Sequence, residues 1–181
     1  MMRNLALAAL SAAILVPTAR AQTTATKMGV SDPLFAAAAG CGGLTELTIS
    51  ELGEQKATDP ELKTFSQKMI LEHTKMNGEL AALAAKKQIA LPKTLSPGAA
   101  FCSQSLSGLS GEEFDACYAK AQLTVHMEAV ATFTAESERG QDPEMRALAT
   151  KALPHIKDHL QMIKPIAMKY EEKMKEKKGE K

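Results

Sequence analysis

The chain has no tryptophan, only two tyrosines and only five phenylalanines in 181 residues. Strands favour aromatic and β-branched side chains, and single-stranded nucleic acids are held by aromatic stacking, so this shortage argues against a β-rich fold and against a base-stacking surface. An excess of one charge is missing as well: 22 basic residues face 21 acidic ones. No net field exists to draw nucleic acid or an anionic membrane. There is no Cys-x-x-Cys, no phosphate-cradling glycine loop, no nucleophile elbow and no basic patch with interleaved aromatics. No complete catalytic motif is present, which leaves a redox or hydrolytic enzyme as the weakest functional reading. No run of about twenty apolar residues exists to cross a bilayer, and no alternating strands suggest an outer-membrane barrel.

What the chain does have begins at its N-terminus. Arg3, an apolar run from Leu5 to Val16, Pro17 and the small-x-small triplet Ala19-Arg20-Ala21 have the three-part layout of a secretory signal peptide over residues 1–21. Cleavage is expected between Ala21 and Gln22, with no following cysteine to direct lipoprotein processing. The protein is therefore expected to be exported, to the periplasm first of all, with outer-membrane association or secretion as variants and no transmembrane segment in the mature chain. Export matters for the three cysteines. Cys102 and Cys117 bracket a Ser/Gly-rich stretch, and a disulfide there would contribute about 3 kcal/mol by closing the loop. Cys41 would remain as a buried thiol.

The mature composition, rich in Ala, Leu, Met, Glu and Lys, favours helices. Residues 22–31 read as a flexible leader, 32–170 as one domain, and 171–181 as a charged disordered tail. Ser31-Asp32-Pro33 starts a first helix that reaches about Ala57, with Phe35, Ala39, Gly42, Glu46, Ile49 and Gly53 on one face. Asp59-Pro60-Glu61 opens a second helix to about Lys87, with Leu62, Phe65, Met69, His73, Met76 and Leu80 inward. A connection of about twenty-five residues follows, long enough to run the length of a bundle. Ser110 and Glu113 form a candidate capping box for a third helix to Arg139, with Leu123, His126, Val130 and Phe133 inward. The fourth helix opens at Asp142-Pro143-Glu144 and carries Met145, Leu148, Ala152, His155, His159, Met162 and Ile166 as its inward row, with a kink expected at Pro154. The repeated Asp-Pro-Glu turn predicts an all-α four-helix bundle of two antiparallel hairpins with a long crossover between helices two and three.

Counting from the turns brings polar residues to one level. Glu46 lies 13 residues before Asp59 and His73 lies 14 after it, while His126 lies 16 before Asp142 and His159 lies 17 after it. At 1.5 Å per residue all four fall about 20–25 Å from their turns, near the middle of helices about 39 Å long. Imidazole and carboxylate converging in a bundle core are ligands for Fe, Zn, Mn or Cu. The candidate ligands are Glu46, His73, His126 and His159, with His155 as a fifth. Met69, Met76 and Met162 would add thioethers and favour copper if they faced the same space.

With Ala37-Ala38-Ala39-Gly40 and Glu46, Met69-Ile70-Leu71-Glu72-His73-Thr74, Ser110-Gly111-Glu112-Glu113-Phe114-Asp115 with Tyr118, and Leu153-Pro154-His155-Ile156-Lys157-Asp158-His159-Leu160, the sequence resembles the domain of unknown function 4142 family over about residues 32–165. These are exported bacterial proteins often labelled outer-membrane proteins. The resemblance implies a ferritin-like fold and brings no established activity. The ferritin-like di-iron pattern places a Glu three residues before a metal-binding His, whereas Ile70 precedes His73 and Ile156 precedes His159 in that position. The first functional expectation is an exported bundle binding a transition metal in its core. The alternative is a non-catalytic envelope or stress-response interaction module, without metal, whose inward histidines satisfy one another.

Overall fold

A computed structural model describes residues 28–179. The signal peptide expected over residues 1–21 and the leader up to residue 27 lie outside the described residues. Five helices follow in order: α1 (Asp32–Lys56), α2 (Pro60–Lys86), α3 (Pro97–Ser107), α4 (Gly111–Arg139) and α5 (Pro143–Gly179). No described helix is long and apolar enough to cross a membrane.

The helix starts follow local chemistry. The Ser31 side chain accepts from Leu34 N, Asp59 from Glu61 N at 2.8 Å and Ser96 from Ala99 N at 3.2 Å, each just ahead of a proline in the first turn. Such acceptors satisfy donors that the helix itself leaves unpaired. Ser110 departs from the expected capping box. It is the N-cap of α4, but its side chain makes no cap bond, and Gly111 beside it takes φ +57°.

α1 packs along α2, and α4 along α5, while α1 also packs on α4 and α2 on α5. The two Asp-Pro-Glu turns lie at opposite ends and are gripped alike. Asp115 of α4 accepts from Thr58 N at 3.0 Å and Asp59 N at 3.1 Å. Asp32 of α1 accepts from Gln141 N at 2.9 Å and Asp142 N at 3.0 Å. In each case a carboxylate from the neighbouring hairpin takes up two adjacent backbone donors that the turn leaves open. Beside the second turn, Val30 N donates to Arg139 O at 3.0 Å, so the end of the expected flexible leader is tied down.

Two apolar clusters fill the interior. One, around Ile49, Leu62, Phe65, Met69, Phe114, Tyr118 and Ile163, lies toward the Asp59 turn. The other, around Phe35, Ala39, Leu80, Met145 and Ala149, lies toward the Asp142 turn. His73, His126 and His159 fall between them in sequence on α2, α4 and α5.

Three expectations need correction. The crossover is not all loop, because residues 97–107 form α3, which rests on α1 and α4 through the buried Leu106. The charged segment after Tyr170 continues α5 to Gly179, with Lys173 bridging to Glu112 at 3.6 Å and Lys177 also bonding it. On α5 the buried row is Met145, Ala149, Ala152, Ile156, His159, Ile163, Ala167 and Tyr170, while His155 and Met162 are exposed. A three-residue step from Ala152 leads to His155 and a four-residue step leads to Ile156. Burial selects the second, since a branched aliphatic chain loses no polar hydration on entering the core.

Candidate metal centre

His73 of α2, His126 of α4 and His159 of α5 are buried, and one ring nitrogen from each lies within 4.8 Å of the other two. Their ring centroids stand 5.7, 5.4 and 5.4 Å apart, close to an equilateral triangle. Nitrogens ligating one ion at about 2.0–2.1 Å lie about 3.4 Å from one another, so small ring rotations would close the triangle on a metal.

Two of the rings are oriented from behind. His126 Nδ1 sits 2.9 Å from Gln122 O, which fixes it as the N–H donor and leaves Nε2 with its lone pair. His159 Nε2 sits 2.7 Å from Glu72 Oε2, so it donates there and leaves Nδ1 with its lone pair. Such outer contacts set the tautomer of a ligating imidazole and raise its basicity. The atoms left over are His126 Nε2, His159 Nδ1 and His73 Nε2, all buried and none with a hydrogen-bond partner. The three rings therefore do not satisfy one another by hydrogen bonding, as a metal-free reading expects.

Charge is arranged to the same end. Burial first, then the neighbouring imidazoles, pushes the His73 pKa down to about 3. Burial brings His126 down to about 4 against the raising effect of its bond to Gln122 O, and burial also lowers His159. The rings are thus neutral at ordinary pH, the form that binds metal. Burial acts to raise the Glu72 pKa, but bonds from Lys68 and His159 outweigh it and keep the carboxyl below its usual range.

The sequence-derived ligand set divides accordingly. His73, His126 and His159 come together. Glu46 is buried, and its carboxylate lies 3.1 Å from His126 Nδ1, on the ring edge turned away from the free Nε2. It stands beside the trio and not in it, and burial raises its pKa well above the usual value. His155 is exposed, with Nδ1 3.9 Å from Glu72 Oε2 on the outer side. Among the methionines, Met69 is core, Met76 lines a cavity beside His73, and Met162 lines a separate surface groove. Cys102 is half-buried on α3 and Cys117 exposed on α4; with Cys41, both are free thiols, so the bridge expected between Cys102 and Cys117 is not formed here.

Sequence reasoning passed over Glu72 and Gln122. Glu72 precedes His73 by one residue, which turns it about 100° off the inward face. Only the position of α5 brings it onto His159. Gln122 stands one turn before His126 and belongs to a second polar cluster. Its Nε2 donates to Ser50 Oγ at 2.9 Å and Tyr118 Oη at 3.1 Å, and Tyr118 Oη pairs with Ser66 Oγ at 2.7 Å. A side chain on Gly53 would strike Ser66 Oγ and the Tyr118 ring, with Cβ contacts of 2.3 and 2.4 Å, so only glycine lets α1 lie this close.

Residues 17–166 match the Domain of unknown function (DUF4142). The chain belongs to the DUF4142 family. Among solved structures, this DUF4142 protein is similar to a DUF305 fragment from Deinococcus radiodurans, with a TM-score of 0.67 at 13% identity over 76% of this chain and 95% of that one. It is also similar to CopM in the Cu(II)-bound form, with a TM-score of 0.66 at 17% identity over 79% of this chain and 99% of that one. A DUF305 protein from Streptomyces coelicolor gives 0.64 at 14% identity over 77% and 91%. Identities this low establish a common helical fold and nothing finer. No protein of curated function matches the sequence.

Proposed function

We propose that this DUF4142 protein is an exported, periplasmic metal-binding protein whose ferritin-like four-helix bundle holds one transition-metal ion between His73, His126 and His159. The observation that carries this reading is the set of three buried, neutral imidazoles, each with one ring nitrogen left without a partner, in a near-equilateral group. Leaving three such atoms unpaired costs about 1–3 kcal/mol each, a cost that a bound ion removes. Three imidazoles and no thiolate suit copper or zinc above the harder cations. The similar fold of CopM, named in its Cu(II)-bound form, makes copper the first ion to try. Glu72 and Gln122 would orient the ligands, and Glu46 would lie beside them as an uncoordinated carboxyl. Export rests on the signal-peptide pattern over residues 1–21.

The test is the metal content of untagged protein after dialysis against Cu(II) or Zn(II), beside a His73→Ala/His159→Ala variant. One equivalent per chain in the parent and none in the variant is the expected result. Equal content in both ends the reading and leaves the non-catalytic interaction module.

A further inference from the structure

A cavity of about 570 Å³ lies against the histidine group. Its floor is buried and includes His73, Glu46 and Ile156; its rim is exposed and includes Gly98, Thr124 and Glu128. Protein interiors close-pack and rarely leave a void larger than a water molecule, so an opening of this size has to be built. Small residues build it: Ala38, Gly42 and Gly43 on α1, Ala121 and Ala129 on α4, and Ala152 on α5.

The wall is chemically one-sided. Glu46, Glu79 and Glu128 line it, and among the described residues no lysine or arginine does. Glu79 shares its charge with Lys151 at 2.8 Å, and Glu46, 2% exposed and 3.1 Å from His126 Nδ1, has its pKa raised by burial, so the charge on the wall is carried by Glu128 at the rim. Met76, Cys41 and Cys102 add sulfur along the same wall. A carboxylate at the mouth of a cleft attracts cations, and thioether and thiol groups favour the softer ones. The cavity runs from an exposed rim to His73, the one member of the histidine group that lines it, among the described residues.

We infer that this cavity is the access route along which a bare transition-metal cation reaches the histidine group, entering past Glu128 and passing the buried Glu46 carboxyl, an oxygen donor on the way. The inference rests on the metal-centre reading and adds a path to it. It predicts that filling the cavity slows loading without changing what is finally bound.

Gly42 offers the plug, because a Cβ added there meets no atom within 4 Å. Co(II) uptake by the full metal-free chain is followed by stopped-flow visible absorption in the parent, in Gly42→Leu and in Glu128→Lys. The expected result is uptake at least tenfold slower in Gly42→Leu, with the parent's final stoichiometry and spectrum. In Glu128→Lys, uptake is expected to slow several-fold at low ionic strength, with the difference shrinking as salt screens the rim. Parent-rate loading of folded Gly42→Leu overturns the route while the metal centre stands. Should that variant not fold, parent-rate loading of Glu128→Lys at low salt overturns it instead. A parent chain that takes up no Co(II), Cu(II) or Zn(II) overturns both readings together.

Discussion

Gln122 and His126 lie one turn apart on α4, both fully buried, and the clusters around them treat their polar atoms differently. Around Gln122 the hydroxyls of Ser50, Ser66 and Tyr118 join the amide in a chain of hydrogen bonds of 2.7–3.1 Å, leaving only Gln122 Oε1 without a partner. Around His126 three imidazoles crowd together, and one nitrogen of each has no hydrogen-bond partner. A satisfied network fixes helix positions. An unsatisfied one held in place by outside contacts is the arrangement on which the proposed metal binding rests. Glu136, buried near the Asp142 turn, shows a third solution. Burial first, then the bond and charge of Asp32, with Asp142 adding to them and Arg146 opposing, raises its pKa to about 7, so below that pH it sits beside Asp32 by keeping a proton.

The sharpest way to break the comparison is to remove His126. His126→Ala should abolish the thermal stabilisation given by metal, which in the parent reaches about 2.7 kcal/mol at one hundred times the dissociation constant. Differential scanning calorimetry with and without Cu(II) checks this, and equal stabilisation of both chains would place the metal elsewhere. Next in size is Glu72→Gln, which keeps an acceptor for His159 but removes the charge behind it. Metal affinity measured by chelator competition should fall about 10–100-fold. An unchanged affinity would make Glu72 a bystander.

Tyr118→Phe addresses the other cluster. It removes one bond each from Ser66 and Gln122, which keep Leu62 O and Ser50 Oγ, and should lower stability by about 0.5–1.5 kcal/mol in urea unfolding, leaving metal affinity as it was. A loss of affinity would mean that the two clusters act as one. Glu136 gives a smaller, pH-dependent effect. Its folded-state pKa lies above the ordinary carboxyl value of 4.5, so its contribution is full below about pH 4.5 and is lost as pH rises through about 7. Glu136→Gln should therefore flatten the fall in melting temperature between pH 5 and pH 8, whereas an unchanged slope would assign it to other groups. The smallest effect is expected from His155→Ala, an exposed change that should move metal affinity less than twofold. A larger drop would return His155 to the ligand set.

Much of the site was legible in the sequence because helix geometry is nearly rigid. Similar residue counts from two Asp-Pro-Glu turns set His73, His126 and His159 at comparable heights, and an inward phase on each helix aimed them at one axis. The same reasoning included His155, since three-residue and four-residue steps are both helical and a single row cannot choose between them. It also admitted Glu46 as a ligand, because height and face say nothing about which edge of His126 a carboxylate will meet.

The residues by themselves determined where the four long helices begin, most of their apolar faces, and at what level the imidazoles lie, because these depend on contacts within a few residues along the chain. Only the tertiary structure decided which nitrogen of each ring is free, that Glu72 stands behind His159, and that small residues on α1, α4 and α5 leave an open, acid-lined space beside His73. Those outcomes depend on sub-ångström distances between helices far apart in sequence, where the rotation of one helix by a fraction of a turn exchanges a ligand for an exposed side chain.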